Sequence, residues 1–158
     1  MRINTYKTML EPDTRKLCVV KEKSCNYSKE SRLDKPEKVI RMLNEVYHLN
    51  LQSEEYLYML CFDNKMKILG IFEVSHGSIR NSYAGTREIF IKALLTNCSN
   101  IILVHNHVSG ETEPSRADYK VCEEVKEAGA LLGITLMDFM IIGKNDFDYL
   151  SFKCEELM

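Results

Sequence analysis

His105-Asn106-His107, followed by Ser115 and Asp118, reads H-x-H-x7-S-x2-D directly behind the apolar run Ile101-Ile102-Leu103-Val104. Side chains two apart on an extended strand point to the same face, so a strand entering this triplet would present both imidazoles together. A carboxylate from the next helix could complete a three-ligand set. Three N/O ligands with a fourth position left to water suit a catalytic zinc rather than a structural one. The Ser115 and Asp118 spacing also has a plainer explanation. S-x-x-D at a helix start is close to a capping box, worth about 1 kcal/mol and no chemistry. The helix face separates the two. Asp118 shares it with Val121, Cys122, Val125 and Gly129, the apolar stripe that turns inward. A carboxylate aimed at a core needs a partner, because an unpaired buried charge is very costly. A divalent metal held by His105 and His107 is such a partner.

The elements that must position these residues follow from periodicity. Asp34-Lys35-Pro36-Glu37 is a helix start with Asp34 as the cap, and Val39, Ile40, Leu43, Val46 and Tyr47 then repeat at helical spacing. Glu55–Phe62 and Met66–Val74 flank the turn signal Asp63-Asn64-Lys65 and predict a β-hairpin. Thr86–Asn97 predicts a helix, with Ile89, Phe90, Ala93 and Leu94 on one stripe. Ile101–His107 predicts a strand apolar on both faces, and Ser109–Pro114 a loop. A helix over Ser115–Gly129 ends on glycine, and strands over Ile134–Ile142 and Phe147–Phe152 close the chain. Residues 1–34 are the least regular part: Leu17-Cys18-Val19-Val20 suits a short strand and Lys21–Asp34 a loop. The order predicts an α/β fold, a single mixed β-sheet flanked by helices. Residues 1–34 form an N-terminal extension and 35–158 the domain proper.

With 158 residues, 45% of them apolar and 28% charged, the chain can close one hydrophobic core. The formal charge of -2 and scattered lysines such as Lys120, Lys126 and Lys144 disfavour nucleic acid as a partner. No apolar run reaches the roughly 18–20 residues of a membrane span, and Met1–Lys16 has no apolar signal-peptide core. Cys18, Cys25, Cys61, Cys98, Cys122 and Cys154 include no C-x-x-C pair and sit among apolar neighbours. They read as reduced thiols of a cytoplasmic protein.

His105-Asn106-His107-Val108-Ser109-Gly110 and Glu113-Pro114-Ser115-Arg116-Ala117-Asp118 closely resemble the signature of the RadC family. That family belongs to the JAB/MPN domains that bear the JAMM zinc-metalloprotease motif. The resemblance extends to Glu73-x3-Gly77-Ser78, to Arg87-Glu88 and to the Phe139–Gly143 strand, covering roughly Asp34 to Phe152. It implies a cytidine-deaminase-like architecture, one Zn²⁺ per chain on His105, His107 and Asp118, and an oxyanion-stabilising role for Ser115. By position Glu73 looks like the family's general base. Glu88 competes for that role, although the helix dipole explains a carboxylate in a first turn. Glu111 and Glu113 on the loop fit it less well. Val108 stands where the family has proline, a change in the loop rather than in a ligand. Residues 1–34 lack the helix-hairpin-helix region of full-length RadC proteins.

The implied function is a zinc-dependent hydrolase of amide bonds, a JAMM-type peptidase or isopeptidase using a metal-activated water. One alternative is a non-catalytic JAB-fold binding module, since fold does not imply function. A DNA-associated metal-dependent hydrolase fits the charge less well. Neither the peptide or protein substrate nor the oligomeric state is legible.

Overall fold

Apolar side chains that alternate between two buried faces dictate the centre of this fold. A computed structural model describes residues 1–77 and 85–158. Its strands are β1 (Arg2–Leu10), β2 (Leu17–Asn26), β3 (Glu55–Phe62), β4 (Ile68–Gly77), β5 (Asn100–Asn106), β6 (Thr135–Ile142) and β7 (Tyr149–Ser151). The helices are α1 (Pro36–Tyr47), α2 (Thr86–Thr96) and α3 (Arg116–Leu132). All seven strands join one sheet in the order β2-β1-β4-β3-β5-β6-β7. It is mixed: β1 runs parallel to β4 and β5 to β6, and the other pairs are antiparallel. Ser78, part of the family resemblance, lies outside the described residues.

β3 and β5 show how the layers form. Tyr58, Leu60, Phe62, Ile102 and Val104 pack with Val39, Ile40, Met42 and Leu43 of α1. Leu57, Met59, Cys61, Ile101 and Leu103 pack on the opposite face with Ile89, Phe90 and Ala93 of α2 and Cys122 and Val125 of α3. Fully burying one such side chain contributes on the order of 1.5–3 kcal/mol, so both faces pin the register. A one-residue slip would exchange them. His105 continues the Ile101–Leu103 row and therefore emerges on the α3 side.

Several boundaries differ from expectation. The run Lys21–Asn26, expected as loop, is the second half of β2 and pairs with β1 through Arg2↔Asn26. It is exposed throughout, because an edge strand with little layer over it has no apolar alternation to show. Residues 1–34 thus supply two strands of the same sheet. The helix cap is Lys35 rather than Asp34. Pro36 at the first position forces the preceding residue into extended geometry, and Lys35 has φ −140° and ψ 148°. Asp34 instead accepts from Lys38 Nζ at 2.7 Å. α3 runs past Gly129 and stops at Gly133, whose φ of 71° is the left-handed cap. Gly129 is small for packing: a Cβ there would meet the Ile134 carbonyl oxygen.

Candidate metal centre

β5 brings His105 to the edge of the α2/α3 layer, directly opposite Leu57 on β3. His107 follows one step beyond the strand, its amide still donating to Ile142 O at 3.2 Å. Asp118 comes from the first turn of α3. The helix starts where it does because Ser115 and Asp118 form a capping box: Asp118 N donates to Ser115 Oγ at 3.2 Å, and Ser115 N to Asp118 Oδ2 at 2.7 Å. The Ser115 hydroxyl also donates to Oδ2, at 2.6 Å. The helix cap and the candidate metal site therefore share Asp118. The cap fixes the carboxylate, and the inward face of α3 aims it at the histidines.

Asp118 Oδ2 lies 3.4 Å from His107 Nε2, and Oδ1 lies 3.8 Å from His105 Nε2. The imidazoles meet edge to face at 81° with centroids 5.0 Å apart. Each ring is oriented by its other nitrogen. His105 Nδ1–H donates to Tyr56 O at 3.1 Å, and His107 Nδ1–H donates to Glu111 O at 2.7 Å. Gly110, at φ 77°, turns the loop so that the Glu111 carbonyl folds back onto His107. With a proton held at Nδ1, each ring when neutral keeps its Nε2 lone pair on the side of Asp118, whereas a protonated His107 pairs with Asp118 through Nε2. Such backbone partners select the metal-binding tautomer.

Burial and the contacts within the group set its protonation. His105 is 9% and Asp118 7% exposed. Burial lowers the pKa of His105, against the attraction of Asp118. Burial would raise Asp118, yet hydrogen bonds from His107 and from the Ser115 side chain and amide bring it down to about 2. His107 is raised: burial opposes its charge, but Asp118 and the Glu111 carbonyl outweigh it.

The carboxylates expected to supply a base are arranged differently from expectation. Glu73 does not join the cluster. On β4, Ile71 faces the α1 layer and Phe72 the α2/α3 layer, and Glu73 pairs with Tyr58 on the α1 side. It accepts from His76 Nδ1 at 2.6 Å, and His76 stacks on Tyr56. Glu88 is exposed and pairs with Arg87 at 3.3 Å in the first turn of α2. Glu111 contributes its carbonyl, and Glu113 is exposed. The carboxylate that does approach is Glu55, with Oε2 3.9 Å from His105 Nε2 and the side chain only 15% exposed. It precedes Leu57 by two residues on β3, so it shares the face of His105. No local spacing reveals it. Only the pairing Leu57↔His105 does.

A His₂Asp set fits a divalent metal on the chemistry of its donors: two neutral imidazoles with free Nε2 and one ionised carboxylate. Tetrahedral ligands about 2.1 Å from zinc stand about 3.4 Å apart, close to the separations above. His105, His107 and Asp118 offer ligand atoms all within 4.8 Å of one another, and this group could hold a metal ion.

A single mixed sheet with helices on both faces and a largely buried His-His-Asp group at the end of the interior strand β5 defines a JAB/MPN-type α/β domain. The family profile described as RadC-like JAB domain matches residues 33–157, and the chain belongs to that family. A UPF0758 protein of Pelobacter propionicus is 38% identical over 114 residues, covering 71% of this chain and 49% of the relative. One from Methanosarcina barkeri is 37% identical over 131 residues (80% and 56%). One from Caldanaerobacter subterraneus is 42% identical over 108 residues (68% and 46%). The chain thus spans about half the length of the curated relatives it matches, and none of these three names states an activity.

Proposed function

We propose that this domain is a zinc-dependent hydrolase of amide bonds, a peptidase or isopeptidase. The observation that carries this reading is the buried Asp118 facing two imidazoles whose Nε2 atoms are free, with a fourth group, Glu55, beside them. His105, His107 and Asp118 would hold the ion. Zinc there would supply Lewis acidity, making water a competent nucleophile near neutral pH.

Glu55 takes the proton as water's oxygen bonds to the carbonyl carbon, and returns it to the nitrogen as the C–N bond breaks. Its low exposure keeps that proton from bulk water. Ser115 has two duties in this reading. It holds Asp118, and its hydroxyl can turn to the developing oxyanion without releasing the carboxylate, because the Ser115 amide still donates to Oδ2. All these residues lie within 35–158, which we take as the catalytic unit, with 1–34 extending its sheet. The six free cysteines suit the reducing cytoplasm. Among the described residues, no helix is long and apolar enough to cross a membrane.

The test is elemental mass spectrometry on wild type and His107→Ala, followed by incubation of the zinc-loaded protein with a proteome-derived peptide library and lysine-linked isopeptides. Zinc near one per chain in the wild type only, with new amino termini or freed lysines, supports the reading. Zinc without cleavage would leave a metal-binding module, and no zinc in either would overturn the site.

A further inference from the structure

Asn106 stands between the two histidines yet turns away from them, and it is 2% exposed. The β3–β5 ladder ends at Leu57↔His105. Beyond that pair, side chains replace the main-chain bonds. Asn106 Oδ1 accepts from Tyr56 N at 2.7 Å, and Asn106 Nδ2 donates to Glu54 O at 3.0 Å. The partners themselves fix the carboxamide's orientation, an N–H on one side and a C=O on the other. A carboxamide carries the same donor and acceptor as a peptide group, so it continues the ladder with its side chain. The residue between its two contacts is Glu55.

We propose that Asn106 is a positioning residue that acts through Glu55, gripping the backbone on both sides of it so that the carboxylate stays against the metal face. This rests on the reading of Glu55 as the proton carrier. The His-Asn-His triplet then has three jobs: its ends offer the metal ligands, and its middle anchors the base. Released from Asn106, the first residues of β3 would keep on this side the bond from His105 Nδ1 to Tyr56 O. Glu54 is exposed, and among the described residues Glu55 pairs through its strand with β4, at Gly77. His107 and Asp118, by contrast, keep their own anchors at Glu111 O and in the α3 cap, and His105 keeps its bond to Tyr56 O.

The experiment uses Co²⁺ as the probe, in wild type, Asn106→Ala, Glu55→Gln and the double variant. Each is read by bound metal, by the pH midpoint of the visible Co²⁺ spectrum, and by hydrogen exchange at the Tyr56 amide. The expected result is about one Co²⁺ retained per chain in every variant. Both single variants should move the midpoint in the same direction, by about one pH unit for Glu55→Gln, and the double variant should stay at the Glu55→Gln value. Tyr56 amide exchange should quicken in Asn106→Ala. A wild-type midpoint in Asn106→Ala beside a shifted one in Glu55→Gln overturns the proposal. Additive shifts also overturn it, since Asn106 would then act on the ligands directly. An unshifted Glu55→Gln overturns the assignment of the base itself, a separate failure visible in that variant alone. If Asn106→Ala does not fold, Asn106→Ser, which cannot span both contacts, takes its place under the same criteria.

Discussion

Glu55 and His105 face one another across the β3–β5 pair, with 3.9 Å between Oε2 and Nε2. The contact is diagonal, one pair beyond the last ladder bond, a position from which a long side chain reaches its neighbour. Glu73 has its carboxylate on the other face, bonded to His76.

The two glutamates should therefore respond differently. On whichever peptide bond the zinc-loaded protein cleaves, Glu55→Gln should slow turnover by about 10²–10⁴-fold with zinc retained. Glu73→Gln should stay within about threefold of wild type, since a change away from the reacting groups costs little. Turnover and zinc content measured on the same preparations check both. Loss of turnover in Glu73→Gln alone would reverse the assignment.

Metal binding should stabilise the fold. Zinc at about 100 times its dissociation constant adds about 2.7 kcal/mol, which for a chain of this size raises Tm by roughly 5–10 °C. His107→Ala should show no such rise. Differential scanning fluorimetry with zinc and with chelator reads this directly.

Ser115→Ala should lower Tm of the zinc-free protein by roughly 2–4 °C through loss of about 1 kcal/mol of capping. Zinc affinity should fall by about 10–100-fold, since Ser115 orients a ligand. Ser115→Thr keeps the hydroxyl and should restore most of both. A loss of capping stability without any loss of zinc affinity would confine Ser115 to the helix cap.

The pH dependence should change sign with the metal. In zinc-free protein the Asp118 pKa of about 2 lies below the ordinary aspartate value of 3.8. Its contribution to stability is full above 3.8 and is lost as the pH falls through about 2. The Tm gap between wild type and Asp118→Asn should close over that window. His107 is raised above 6.5, so its contribution is full below 6.5 and is lost as pH rises through its folded-state value. Zinc requires the neutral imidazole, so the zinc-induced Tm rise should instead grow between about pH 6 and 8. Thermal melts with and without zinc across this range test both signs.

Gly129→Ala should destabilise by about 1–3 kcal/mol, despite alanine's helix propensity advantage of about 1 kcal/mol. The added methyl would press on the Ile134 carbonyl, which is backbone and cannot turn aside. A chemical denaturation midpoint equal to wild type would show that α3 and β6 can separate there.

The elements legible in the chain were those with a strong local period. α1, α2, the β3–β4 hairpin and the doubly buried β5 fall within a few residues of where the apolar spacing places them. β2 was not legible past Val20, because Lys21–Asn26 is an exposed edge with no buried face to impose alternation. Gly129 suggested a helix end but marks a close approach, and the true cap at Gly133 differs only in its φ.

The same division runs through the site. That His105, His107 and Asp118 come together, with Ser115 on Asp118, was legible in the sequence alone, because their relations are local: two along a strand, three along a helix turn, and an inward helix stripe. Glu55 was not, standing fifty residues before His105 and flanked by nothing that distinguishes it from Glu54 or Glu73. Its place follows from strand register. Leu57 pairs with His105, which puts Glu55 on the face of His105. A bulge that sets Leu57 against Ser75 and Tyr58 against Glu73 leaves Glu73 on the other side. Which carboxylate meets the histidines is decided by pairing between strands distant in the chain, and only the folded sheet contains that information.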